Sequence, residues 1–310
     1  MQSTRPIAVS VFVALALGLA VAGCGGGSST ADASSAGKIS AVGAENEYAN
    51  VIEQIGGKYV EVSAVESDPN TDPHTFEASA SVAQEVSGAD VLVENGVGYD
   101  SYMEKIESAD PSSSRKVINV QELLGLPDST PNPHLWYKPE TMPAVAKQLV
   151  ADFAELQPRH KAYFEANLKK FEASLEPWLE GLEIFTTKFP GAAVATTEPV
   201  ADYMLEAAGI ENLTTFTMQA DIMNGADPAP QAIAEQEGFL SEKQADAFVY
   251  NQQVTDSITE KFLESAAHNN VPVVGVYETM PTGYTYQRWM EAELKALEEA
   301  VGNGKSTEKL

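Results

Sequence analysis

Cysteine occurs once in the 310 residues, at Cys24, so no disulfide can close within the chain. Histidine is nearly as scarce, with four residues, which makes the setting of each one informative. Nineteen Lys and Arg stand against 45 Asp and Glu, a formal charge of -26 that excludes nucleic acid or an anionic membrane surface as an electrostatic partner. Such a surface attracts cations, but it also serves solubility, so charge by itself names no ligand. Also missing are a His-Glu-x-x-His helix, a Gly-rich phosphate loop and a recognisable Ser, His and Asp constellation, which argues against hydrolase or nucleotide chemistry. No apolar run is long enough to span a bilayer.

The longest apolar run, residues 7–22, follows Arg5 and has the length of a signal-peptide core. It ends in Val21-Ala22-Gly23-Cys24, which resembles the lipobox of bacterial lipoproteins and makes Cys24 the expected lipidation site. A cysteine without a possible partner fits an anchor in an exported protein better than a structural role. Beyond it Gly, Ser, Ala and Thr dominate up to Gly37, a composition that behaves as a flexible tether. The expected organisation is a signal segment 1–24, a tether 25–38, a first lobe 39–140, linking helices 141–190 and a second lobe 191–310.

Within the folded part, apolar runs at 38–42, 60–65, 91–93 and 117–120 alternate with helical patterns, and the alternation resumes at 193–195, 247–250 and 273–276. Strands and helices in this order predict an α/β fold of two lobes, each a parallel sheet flanked by helices. Between the lobes, Phe164, Leu168, Phe171, Leu175, Trp178 and Leu182 recur three or four residues apart and predict a long backbone helix over 159–185, kinked at Pro177. Such a helix spans about 40 Å, the scale of a whole domain. The Asn-, Asp-, Gly- and Pro-containing segment 214–230 reads as a surface loop.

Two histidines share one setting: Asp72-Pro73-His74-Thr75-Phe76 and Asn132-Pro133-His134-Leu135-Trp136. Proline stiffens the preceding residue and an aromatic follows, which suits an imidazole held in a fixed orientation for a metal. His160 and His268 lie among helix-end charges and polar residues and read as surface groups. The second half has no histidine at its strand ends but places Glu198 after 193–195 and Glu278 after 273–276. Ligands of open parallel sheets bind beyond the carboxyl ends of the strands, where both glutamates fall.

From 38 to about 301 the chain resembles the substrate-binding proteins of zinc and manganese ABC importers, the cluster A-I binding proteins. The resemblance is carried by Ala44-Glu45-Asn46, the two histidine motifs with Glu77 after the first, Ala89-Asp90-Val91-Leu92-Val93-Glu94-Asn95-Gly96 and Gly283-Tyr284-Thr285-Tyr286. It implies His74 and His134 as the first two metal ligands, Glu198 as the third and Glu278 as the fourth, where the family usually has aspartate. It also implies a Zn2+ or Mn2+ cargo, ABC permease and ATPase partners, and an extracytoplasmic, lipid-anchored and monomeric state. Many members carry a glutamate after the strand that ends here at Tyr250, where this chain reads Asn251-Gln252-Gln253. Two imidazoles and two carboxylates accept zinc, manganese or iron. Two carboxylates and the lack of a His-rich loop resemble manganese or iron members, while the Irving-Williams order makes zinc bind at least as tightly as manganese. The resemblance of the rest of the sequence to zinc-type members puts zinc slightly ahead. The alternatives are a manganese or iron importer component, a metal-dependent adhesin, a sugar or peptide binder on the same architecture and, less favoured, a zinc hydrolase.

Overall fold

The computed structural model describes residues 37–310. The signal segment with Cys24, and the tether up to residue 36, lie outside the described residues. Lys38–Leu310 forms one compact unit built on two four-stranded sheets.

The first sheet contains β1 (Ile39–Glu45), β2 (Val60–Glu66), β3 (Val91–Glu94) and β4 (Lys116–Asn119) in the order β2-β1-β3-β4. The second contains β5 (Ala193–Thr196), β6 (Glu211–Asn212), β7 (Ala247–Asn251) and β8 (Val273–Val276) in the order β6-β5-β7-β8. Every pairing within them is parallel. Strands covered by helices on both faces are apolar without alternation, which is why Val91-Leu92-Val93 and Val273-Val274-Gly275-Val276 are continuous apolar runs and wholly buried. In both sheets the order reverses beside the first strand, so each lobe opens a crevice at its carboxyl edge.

The expected backbone helix forms as Lys161–Lys188, entered through a 3-10 turn at Pro158–His160 and running through Pro177 without a break. It buries Phe164, Phe171, Leu175, Trp178, Leu182 and Phe185 along one stripe. That stripe packs on the helices Asn46–Gly56 and Thr141–Leu156 on one side and on Tyr286–Asn303 on the other. One apolar core therefore runs from Ile39 and Val91 of the first sheet, past Trp178, to Val194, Val274 and Leu297 of the second half. Two smaller clusters fill the remaining faces of the sheets.

Polar bonds reinforce this junction. Asn46 exchanges side-chain bonds with the backbone of Met280 at 2.9 Å in both directions, and the Tyr286 hydroxyl donates to the Trp136 carbonyl at 2.7 Å. The C-terminal tail comes so close to β8 that a Cβ on Gly275 would sit 2.0 Å from the Glu308 carbonyl oxygen, and only glycine fits there.

One expectation fails. The segment 214–230 contains the helix Phe216–Met223, with Met218, Gln219 and Ile222 buried. The turn-forming Asn224-Gly225 and Asp227-Pro228 occupy only its second half, while Met218 and Ile222, four residues apart, find a core to pack on. The short strand β6 was also not anticipated.

Candidate metal centre

The four candidate ligands all lie beyond carboxyl ends of strands. Pro73 starts a 3-10 turn after β2, capped by Asp72, whose side chain accepts the His74 backbone N–H at 2.9 Å. His134 enters a second 3-10 turn, Leu135–Tyr137, after β4. Glu198 follows β5 and Glu278 follows β8. The structure brings three of them together: ligand atoms of His74, His134 and Glu278 lie within 4.8 Å of one another. Glu198 falls outside that spacing, although it is buried in the same region.

Glu278 is the hub. Its Oε2 stands 3.1 Å from Nε2 of His74 and 3.1 Å from Nε2 of His134. The Tyr99 hydroxyl also donates to Oε2, at 2.9 Å, while the Asn251 amide donates to Oε1 at 2.8 Å. Gln253 Oε1 accepts the backbone N–H groups of Glu278 and Thr279 at 2.6 and 2.9 Å, which fixes the turn that carries the carboxylate. Two donors each about 2.1 Å from a tetrahedral ion are about 3.4 Å apart, so the observed spacings need to open by only a few tenths of an ångström.

The tautomer of His134 sharpens this. Asn132 Oδ1 accepts from the His134 backbone at 3.0 Å and lies 2.7 Å from Nδ1, while the other end of the same amide donates to the Pro199 carbonyl at 2.8 Å. Asn132 is thereby held with its oxygen toward the ring, Nδ1 carries a proton, and Nε2 of the neutral imidazole presents a lone pair. That lone pair faces a carboxylate oxygen, an arrangement that needs a proton or a metal cation between the two atoms.

The electrostatics agree. Burial raises the proton affinity of Glu278, but the hydrogen bonds from His134 and His74 outweigh it and hold the carboxyl well below the usual range. Burial pushes the His134 pKa down, offset in part by Glu278, whereas at His74 the Glu278 carboxylate overcomes the effect of burial and the pKa rises. Glu198 is pushed well above the usual range, by burial first and by the Glu278 charge second. Neither of its oxygens makes a well-formed hydrogen bond among the described residues, although the nearby Asn251 amide eases its ionisation in part. Burial of this kind favours the protonated, neutral carboxyl, and Glu45 and Glu47 share the same signature.

Access is from the first lobe. The His74 side chain keeps 22% of its surface exposed while His134 and Glu278 keep none. His74 and Tyr99 line an open cleft of about 510 Å³ with Phe76 and Tyr102. Tyr99 itself is delivered by the loop Gly96-Val97-Gly98, whose three residues all have positive φ, 77°, 55° and 75°. For the β-branched Val97 this is a strained conformation, held by the Gln121 side chain on its N–H at 2.6 Å.

The family model for the periplasmic zinc-uptake complex component A, ZnuA, matches residues 42–300. The chain belongs to this family. Among curated relatives, the manganese-binding lipoprotein MntA of Bacillus subtilis is 22% identical over 76% of this chain and 78% of its own length. The manganese ABC transporter substrate-binding lipoprotein PsaA of Streptococcus pneumoniae is 19% identical over 87% of this chain and 91% of its own. In structure, the periplasmic zinc-binding protein TroA of Treponema pallidum aligns with a TM-score of 0.72 at 17% identity, covering 87% of this chain and 100% of that one. A manganese-bound periplasmic metal-binding protein of Candidatus Liberibacter asiaticus aligns with a TM-score of 0.70 at 16% identity, over 85% and 100%. These neighbours establish the two-lobed fold with its long helix.

Sequence reasoning gave no role to Tyr99, Asn251 or Gln253 at the centre, although it marked Asn251-Gln252-Gln253 as the place where many relatives carry a glutamate. Asn251 closes β7, so the rule that drew attention to Glu198 and Glu278 applies to it equally. Of the two histidines expected at the surface, His268 is exposed, but His160 is half-buried and stacks on Tyr59 with centroids 3.7 Å apart.

Proposed function

We propose that this chain captures one divalent transition metal ion, Zn2+ or Mn2+, through His74, His134, Glu278 and Glu198, and delivers it to the permease and ATPase of an ABC importer. The family carries the coarser statement: the chain is an extracytoplasmic substrate-binding protein for metal import, not an enzyme. The observation that supports the residue assignment is the 3.1 Å approach of His134 Nε2 to a carboxylate oxygen that His74 shares.

On this reading His74 and His134 from the first lobe and Glu278 from the second grip the ion as it enters past His74. Glu198 completes the set by a side-chain rotation that brings its unbonded oxygens to the ion. Metal entry displaces the protons that bridge the imidazoles and the carboxylate, so binding releases protons. The lobes share one core and do not swing apart as free bodies. Release therefore proceeds by local rearrangement of the second-lobe turns that carry Glu198 and Glu278 when the permease docks. Cys24 is the anchor that keeps the monomeric protein beside its permease, with lobes at 39–140 and 191–310 and the helices 141–190 between them.

Titration of zinc and of manganese against a competing chelator tests this. Wild type is expected to bind one equivalent of each ion, and His134→Ala to lose affinity for both by no less than the roughly 10–100-fold that loss of an outer hydrogen-bond partner costs. Equal affinity in wild type and variant would overturn the assignment.

A further inference from the structure

We propose that Asn251 is a positioning residue that holds Glu278 to one metal-binding oxygen and so biases the centre toward zinc over manganese. The inference deepens the metal-capture reading and rests on it.

Asn251 is buried to 1% exposure at the end of β7, and each of its polar groups has a fixed task. Its backbone N–H donates to Thr197 Oγ1 at 3.0 Å. Its side-chain oxygen accepts the Gln253 N–H at 3.0 Å, an Asx turn, so the amide nitrogen can only point the other way, into the centre. There it donates to Glu278 Oε1 at 2.8 Å. The remaining donors, His74, His134 and Tyr99, all address Oε2. The carboxylate is thus divided: Oε2 faces the two imidazoles, and Oε1 accepts an amide whose orientation the turn fixes.

The division bears on coordination number. One oxygen of Glu278, two imidazole nitrogens and one oxygen of Glu198 make a four-coordinate nitrogen and oxygen site, the number zinc prefers. Manganese favours more oxygen donors and a higher count, which a bidentate glutamate would supply. By turning one lone pair of Oε1 toward its amide, Asn251 disfavours the bidentate geometry that would bring in a fifth ligand.

The test uses full-length protein with Asn251→Ala and Asn251→Ser. Serine can still accept the Gln253 N–H but is too short to reach Glu278, so it separates loss of the donor from loss of the turn. Zinc and manganese affinities are measured in competition, and X-ray absorption at the zinc edge gives the coordination number. Both variants are expected to lower the zinc-to-manganese affinity ratio about tenfold, within the range that outer hydrogen-bond partners of metal ligands exert, and to raise the zinc coordination number from four to five. An unchanged ratio with unchanged coordination number overturns the proposal, even if both affinities fall together. His74→Ala in the same assay separates the two levels: if it retains full zinc affinity, the capture reading fails, and if only the Asn251 variants are neutral, the positioning role alone fails.

Discussion

Replacing Glu278 by alanine probes the centre without any metal. In the metal-free protein the carboxylate accepts from Tyr99 and Asn251 and is paired with two imidazoles, all within 3.1 Å. Alanine leaves the Tyr99 hydroxyl and the Asn251 amide buried without an acceptor, at about 1–3 kcal/mol for each. It also removes one partner of a buried ion pair, a change that typically costs about 3–5 kcal/mol. Loss of the carboxylate's own burial cost works the other way, and these contributions overlap because they concern one group. A net loss of about 3 kcal/mol is expected, out of a total stability on the order of 5–15 kcal/mol. For a unit of this size that lowers the melting temperature by about 6–10 °C. The assay is urea denaturation of chelator-treated wild type, Glu278→Ala and Glu278→Gln, with glutamine intermediate because it keeps an acceptor for one donor. If Glu278→Ala without metal is as stable as wild type, the carboxylate is not the hub described and the argument for a preformed centre fails.

Two further outcomes are expected. Glu293 is buried beneath the centre, where it accepts from Tyr137 at 2.7 Å and Trp289 at 2.6 Å, and burial raises its pKa from 4.5 to about 8 despite those bonds. The folded state therefore keeps this proton while the unfolded chain loses it, and between pH 4.5 and about 8 stability falls with rising pH, by up to about 1.4 kcal/mol per unit from this group. Denaturation at pH 5 and pH 8 should show Glu293→Gln reducing the difference; an unchanged slope would place the titrating group elsewhere. Tyr286→Phe leaves the Trp136 carbonyl without its 2.7 Å donor and should cost about 1–2 kcal/mol by the same denaturation assay, with metal stoichiometry unchanged.

The fold was legible because its signals are local and repeated. Seven of the strands coincide with apolar runs visible in the sequence, and the buried stripe from Phe164 to Leu182 follows the spacing that predicted the long helix. β6 escaped because a two-residue edge strand, Glu211–Asn212, has no periodicity to read. The helix Phe216–Met223 escaped because the strong turn residues after it masked its own short apolar pattern. At the centre, the paired histidine motifs marked both imidazoles, and strand-end position with family resemblance marked the glutamates. Nothing local could tell that Tyr99 reaches Glu278 across 179 positions, or that Asn251 faces the carboxylate through a turn made with Gln253. Such partners are chosen by tertiary geometry, and asparagine and tyrosine in a loop have many other uses. The sequence also treated Glu198 and Glu278 as equals, whereas the structure draws Glu278 into contact with both imidazoles and leaves Glu198 outside their spacing with its oxygens unbonded.

Crystals of the zinc-loaded protein, with anomalous diffraction at the zinc edge, test the central claim most directly. The account predicts one strong peak about 2.0–2.2 Å from Nε2 of His74, Nε2 of His134 and Oε2 of Glu278, with a Glu198 oxygen rotated in as the fourth ligand. A strong peak held by other residues, with the His74, His134 and Glu278 contacts still closed on one another, would contradict it.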